Sequence, residues 1–322
     1  MRVTFFLAVA VLAAASLMAQ SQSPYVPTAA LSAFASSPDT DSDTVLTIRK
    51  RVDEVNVLFI ATDKHGKFVR NLNQTDFSIL DDRQPPQSID AFRRETDLPL
   101  QLGLLIDTSG SVRQRFAFEQ EAAAGFMEKT LRPGFDKAFV MGFSKNSQVA
   151  QEFTDDAKLL QAGVQRLRAG GGTALYDAIY KACKEKLAKG ESERPVRRAL
   201  IVISDGEDNQ SEVSRTQAIE MAERAEVIIY AISTDDSGLV LRGDKALEQL
   251  ADATGGRAFF PYKMKDVKAS FSAIEDELRS QYVVSYRPAN FDADGRFRSI
   301  EITANKKDLQ VRARRGYFAP RQ

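Results

Sequence analysis

The stretch that decides the fold is "LGLLIDTSGSV", residues 102–112. A short apolar run reaches Asp107 and stops, and Ser109 and Ser111 follow at alternate positions with Gly110 between them. A near-continuous apolar run predicts a strand buried on both faces, as in parallel sheets covered by helices. Asp107, Ser109 and Ser111 are two apart, so in an extended turn they point one way while Thr108 and Gly110 do not. Gly110 allows a tight turn into the next helix.

The same rhythm continues outward. A helix is predicted over 112–131, a strand at "KAFVMGFS", and close behind it "SQVAQEF", with too few residues between them for a crossover helix. That segment is therefore an antiparallel edge strand. Helices are predicted at 155–167, 174–188, 213–225, 243–253 and 266–280, with strands "RRALIVISD", "EVIIYAIST" and "GRAFFP" among them. The fold class is α/β: an open, mostly parallel, Rossmann-like sheet with helices on both faces and one antiparallel edge strand. Period-two segments flank it. Residues 45–95 read as a small β-rich domain, and 281–318 ("QYVVSYRPA", "RFRSIEITA", "LQVRARRGYF") as a C-terminal β extension. The period leaves open whether the extension pairs with the first β unit or with the main sheet.

Residues 1–19, "MRVTFFLAVAVLAAASLMA", have an early Arg, an apolar run and a small residue at Ala19. This layout predicts a signal peptide and an exported protein of the periplasm, cell surface or medium. Residues 20–44 read as a flexible leader. No later run is long enough to span a membrane. Lys+Arg and Asp+Glu both number 44, so no basic excess points to nucleic acid. The lone Cys183 sits at helical spacing with Ile179 and Leu187 and reads as core; His65 lies in a turn and reads as exposed.

Three pieces fall at strand ends: Asp107, Ser109 and Ser111; Thr173 in "AGGGTALYD"; and Asp205 in "ISDGEDN". Open α/β sheets collect ligands outside the carboxyl ends of their strands. Aspartate, serine and threonine offer only hard oxygen donors, which suit Mg²⁺, with Mn²⁺ or Ca²⁺ as alternatives, over zinc or copper. Each piece also has a plainer reading. Serines and threonine cap helices, and Asp205–Gly206 forms a turn. Asp177, four residues after Thr173 on the same helical face, is expected to support the site through a hydrogen bond; Asp208 reads as a rim charge.

"DTSGS" (107–111), "GGGTALYD" (170–177) and "SDGEDN" (204–209) resemble the three parts of the metal-ion-dependent adhesion site (MIDAS) of von Willebrand factor type A domains. The resemblance covers about 98–280 and implies that Asp107, Ser109, Ser111, Thr173 and Asp205 are the metal ligands. The mature chain also resembles a bacterial group of secreted proteins related to these domains, through residues 57–82 and 281–317. What the resemblance implies is a secreted, non-enzymatic module in which the Asp or Glu carboxylate of a protein partner completes the metal shell. Two other readings stand beside it. One is a metal-dependent hydrolase of phosphoesters, for which no general base is evident; the other is a structural part of an envelope assembly. "AGGGT" lacks the Gly-Lys-Ser/Thr ending of a P-loop. The sequence sets neither the partner nor an oligomeric state.

Overall fold

Apolar strands alternate with one-sided helices, and burial of those sides fixes the layers. A computed structural model describes residues 54–94, 98–188, 196–235 and 237–321; the expected signal peptide, leader and residues 45–53 lie outside them. In chain order the elements are β1 (Val55–Asp63), β2 (Phe77–Asp81), β3 (Ser88–Arg94), β4 (Leu100–Asp107), α1 (Phe116–Thr130), β5 (Lys137–Phe143), β6 (Ser147–Thr154), α2 (Ala157–Arg166) and α3 (Leu175–Lys181). They continue with β7 (Arg197–Ser204), α4 (Arg215–Arg224), β8 (Val227–Ser233), α5 (Arg242–Thr254), β9 (Ala258–Phe259), α6 (Met264–Leu278), β10 (Gln281–Arg287), β11 (Phe297–Ala304), β12 (Leu309–Ala313) and β13 (Gly316–Phe318).

The main sheet runs β6-β5-β4-β7-β8-β9. All its pairings are parallel except β5 with β6, the edge strand the short connection requires. Alternation along β4 divides its side chains between two cores. Leu102, Leu104 and Ile106 pack with Phe126, Leu160 and Phe271 of α1, α2 and α6. Leu105 faces the other way, toward Leu175 and Ile179 of α3, Ala218 of α4 and Leu247 of α5. Burying a side chain of this size contributes about 1.5–3 kcal/mol each, so both helical layers are held by the same strand.

The flanking strands form their own core. β10 lies between β1 and β3 in the order β12-β1-β10-β3, and β11 joins β2 and β13. The C-terminal strands therefore complete the N-terminal β unit and leave the main sheet alone. Phe59 of β1 stacks on Tyr282 of β10 at 5.5 Å and meets Phe77 of β2 edge-on at 5.0 Å. Tyr286 Oη donates to Asp81 Oδ2 at 2.8 Å, joining β10 to β2. Only Arg279 and Ser280 separate α6 from β10. Arg312 on β12 forms an ion pair with the buried Glu277 of α6, and Arg315 N–H donates to Ala253 at the end of α5, so the β unit is fastened to the base of the main sheet.

Two helices differ from expectation. The segment after Asp107 begins as a 3₁₀ turn, Ser111–Gln114, before α1 starts at Phe116. α3 continues from Lys181 as a π-helical stretch, Ala182–Leu187, in which Ala188 N–H bonds to Cys183 O at 2.7 Å. Cys183 is fully buried and His65 exposed, as their spacing and turn position predict.

Candidate metal centre

β4 and β7 pair in parallel with Ile106 opposite Ile203. Asp107 and Asp205 thus leave the sheet at one edge. The "GGGT" loop is laced to the same place through its main chain. Gly110 N–H donates to Gly171 O at 3.0 Å, and Gly170 N–H to Thr108 O at 2.6 Å. Asn209 and Gln210 N–H both donate to Thr173 O at 3.0 Å, while Thr173 N–H donates to Asn209 Oδ1 at 3.0 Å. Three segments distant in sequence are bound to one another before any ligand is considered.

Inside this frame the polar side chains form a chain of contacts. Asp107 Oδ1 accepts from Ser109 N–H at 2.7 Å, and its Oδ2 accepts from Ser204 Oγ at 2.6 Å. Ser109 Oγ lies 2.9 Å from Ser111 Oγ, which donates to Asp205 Oδ2 at 2.6 Å. Gly243, at the start of α5, backs the Asp205–Gly206 turn so closely that an added Cβ would stand 2.0 Å from Asp205 O. Gly206 itself has φ +77°, a turn conformation that favours glycine.

The capping readings do not hold here. Neither the 3₁₀ turn nor α1 takes a side-chain cap from Ser109 or Ser111, whose hydroxyls instead join Asp205. Thr173 does not cap α3 either. Asp208 Oδ2 accepts Tyr176 N–H at 3.1 Å and Ser211 Oγ accepts Asp177 N–H at 3.1 Å, so the first turn is capped by the neighbouring loop. Asp208, expected as a rim charge, is half-buried in this role. Asp177 also departs from expectation. Its carboxylate accepts N–H groups of Glu212 (3.0 Å) and Val213 (2.9 Å), so it braces the loop beyond Asp205. A carboxylate on α3 bonds the unpaired amides it faces, and here those belong to that loop.

The donor set fits a hard divalent cation. Asp107 is fully buried, Ser109 and Thr173 are nearly so, Asp205 is half-buried and Ser111 is exposed, so the site opens on one side. Burial pushes Asp107 up to about 6, against hydrogen bonds from Ser204 and Ser109, and the nearby charge of Asp205 adds to the rise. Two like charges at one sheet edge favour a positive charge beside them. Among the described residues no three His, Cys, Asp or Glu side chains are placed to ligate one ion together, and the polar contacts here run through serine hydroxyls. Ser204, Asn209 and Gly243 support the site although sequence reasoning did not single them out. Ser204 and Asn209 stood inside the "SDGEDN" motif, but Gly243 carried no signal before the fold placed it.

An open α/β sheet with an oxygen-donor site at the carboxyl ends of β4 and β7 defines the class. The family model for the von Willebrand factor type A domain matches residues 102–277, more than half of the chain, and the chain belongs to that family. No curated protein sequence matches the chain. Among solved structures it is similar to proximal thread matrix protein 1 from the mussel byssus, a structure with a zinc-occupied MIDAS motif. That match has TM-score 0.50 and 14% identity over 62% of this chain and 50% of that one. The chain thus spans about half the length of the mussel protein. A von Willebrand factor type A protein from Catenulispora acidiphila gives TM-score 0.48 and 14% identity over 83% of this chain and 74% of that one. An aerotolerance-related membrane protein from Bacteroides fragilis gives 0.46 and 17% over 56% and 98%. No helix among the described residues is long and apolar enough to cross a membrane.

Proposed function

We propose that this chain is an exported, divalent-metal-dependent protein-binding module of adhesion or assembly, without an enzymatic step. Asp107, Ser109, Ser111, Thr173 and Asp205 hold Mg²⁺, and an Asp or Glu carboxylate of a protein partner completes the shell. The observation that carries the reading is the side-chain path from Ser109 through Ser111 to Asp205, anchored by buried Asp107 and open to solvent at Ser111. When bound, the ion supplies an electrophilic centre that retains affinity for one outside oxygen, because three of its five protein donors are uncharged hydroxyls. The protein fixes those donors in advance through the main-chain lacing of the three loops, which favours affinity by lowering the ordering needed on binding.

The test is capture of partners from the envelope and surroundings of the source cell in Mg²⁺ and in chelator, with the natural chain and Asp107→Ala. Mg²⁺-dependent capture that disappears in Asp107→Ala is expected. Capture indifferent to both treatments would refute the reading, and phosphoester turnover lost with Asp107→Ala would favour a hydrolase instead. Titration with Mg²⁺, Mn²⁺, Ca²⁺ and Zn²⁺ separates the hard-ion preference from zinc occupancy of the kind described for the mussel protein.

A further inference from the structure

One buried carboxylate beside the site belongs to none of the five ligand positions. Glu119 lies on α1 three residues after Phe116 and four before Ala123, both buried in the core that α1 shares with β4. It therefore occupies the helix face that packs on the sheet. Glu119 is 2% exposed, and neither of its carboxylate oxygens has a hydrogen-bond partner among the described residues. An orphaned carboxylate is among the costliest groups to bury, and the apolar neighbours Val112, Phe116 and Ala123 show what the position would otherwise hold.

α1 leads out of the Asp107–Ser111 turn, and Arg115, one turn before Glu119, donates to Thr234 O; Thr234 N–H in turn bonds Ser204 O, and Ser204 Oγ donates to Asp107. Glu119 thus lies on the end of α1 next to the site, and the charges that act on it are those of Arg115, Asp107 and Asp205. Burial pushes Glu119 up to about 8; Arg115 opposes the rise and the two site carboxylates add to it. A divalent cation held by Asp107 and Asp205 reverses the sign of the field these two residues impose.

We propose that Glu119 is a further residue of the metal site, a buried third carboxylate whose charge holds the divalent ion from the core side. It is a positioning residue and leaves the solvent side to the partner. The two ligand carboxylates neutralise the ion alone only in formal charge, and three hydroxyls add none. Glu119 keeps its proton in the metal-free chain and gives it up as the ion binds, so the third negative charge appears with the ion and raises affinity without occupying the position a partner needs. The inference rests on the reading of the site as a divalent-metal site.

The experiment is calorimetric titration of the full mature chain with Mg²⁺ and with Mn²⁺ at neutral pH, for the natural protein, Glu119→Gln, Glu119→Asp and Asp107→Ala. Supporting-shell changes at metal sites typically weaken binding about 10- to 100-fold. Glu119→Gln is expected to lose affinity in that range while keeping its far-UV spectrum and metal-free melting temperature, and Glu119→Asp is expected to recover part of the loss. A merely structural Glu119 would move the melting temperature and leave metal affinity alone. Affinity of Glu119→Gln within twofold of the natural chain overturns the inference and spares the metal site. Absence of Mg²⁺ and Mn²⁺ binding by the natural chain overturns the site reading itself. Should Glu119→Gln fail to fold, the uncharged Glu119→Met takes its place under the same criterion: a 10- to 100-fold loss supports the charge role, and affinity within about twofold of the natural chain overturns it.

Discussion

A fully buried carboxylate is a liability while no cation faces it, and Asp107 makes that liability measurable. Its ordinary value of 3.8 is raised by burial to about 6 in the folded chain. A raised carboxylate is stabilised in its protonated form, so its contribution to folding is fully present below the unfolded value and is lost as pH rises through about 6. A shift of about two pH units corresponds to about 3 kcal/mol at pH 8, falling to about half of that at pH 5. Asp107→Asn removes the ionisation and keeps the contacts: Oδ1 still accepts Ser109 N–H, and the new amide donates to Ser204 Oγ. In chelator at pH 8 the variant should therefore be more stable than the natural chain by up to about 3 kcal/mol, or roughly 6–12 °C in melting temperature for a unit of this size. The gap should shrink toward pH 5. Saturating Mg²⁺ should reverse the order at pH 8, because it binds the folded natural chain and so stabilises it by mass action. Calorimetry of both chains at pH 5 and pH 8, in chelator and in Mg²⁺, reads all four corners. A natural chain at least as stable as Asp107→Asn in chelator at pH 8, or a gap that does not depend on pH, would refute the reasoning.

Other perturbations separate the site from its supports. Gly243→Ala places a Cβ against Asp205 O, so the Asp205 turn must shift; we expect about 1–3 kcal/mol of destabilisation together with weakened Mg²⁺ binding, read by melting and titration of one sample. Asp177→Ala strands the N–H groups of Glu212 and Val213 and should cost about 1–3 kcal/mol, with faster amide exchange in the 205–213 loop and only a modest change in metal affinity. Tyr286→Phe removes the donor to Asp81 inside the β unit and should lower stability by about 1–3 kcal/mol while leaving Mg²⁺ affinity untouched, since it lies in a separate core.

What could be read in the chain beforehand follows from which forces are local. The main sheet was legible because a strand buried on both faces shows as an apolar run, and the helices between show one-sided periodicity. The edge strand β6 followed from a connection too short for a crossover. The candidate ligands were legible for a related reason: alternate spacing groups Asp107, Ser109 and Ser111, and the ends of neighbouring strands bring Asp205 to them. Pairing over long separations leaves no such trace. A period of two marks β10 as a strand, but its place between β1 and β3 is chosen by the packing of Phe59, Phe92 and Tyr282, residues far apart in sequence.

The same distinction explains why the sequence pairs Asp177 with the strand-end site and not with the loop it braces, and gives Glu119 no role. Helical spacing tells which face a carboxylate occupies only inside a helix, and Thr173 precedes the N-cap Ala174 of α3, so it shares no helical face with Asp177. Nor does spacing tell which amides a face will meet, and the loop beyond Asp205 presents two unpaired ones. Glu119 shows the complementary case. In "FAFEQEAAAGFM" a charge stands on the stripe that Phe116, Ala123 and Phe126 define, which sequence alone reads as an imperfection of the helix pattern. Only the packed structure shows that the group has lost water and gained no hydrogen bond in exchange. A carboxylate retained under those conditions, with two more at the adjoining strand ends, is a local energetic conflict of the kind that folds keep where a ligand resolves it.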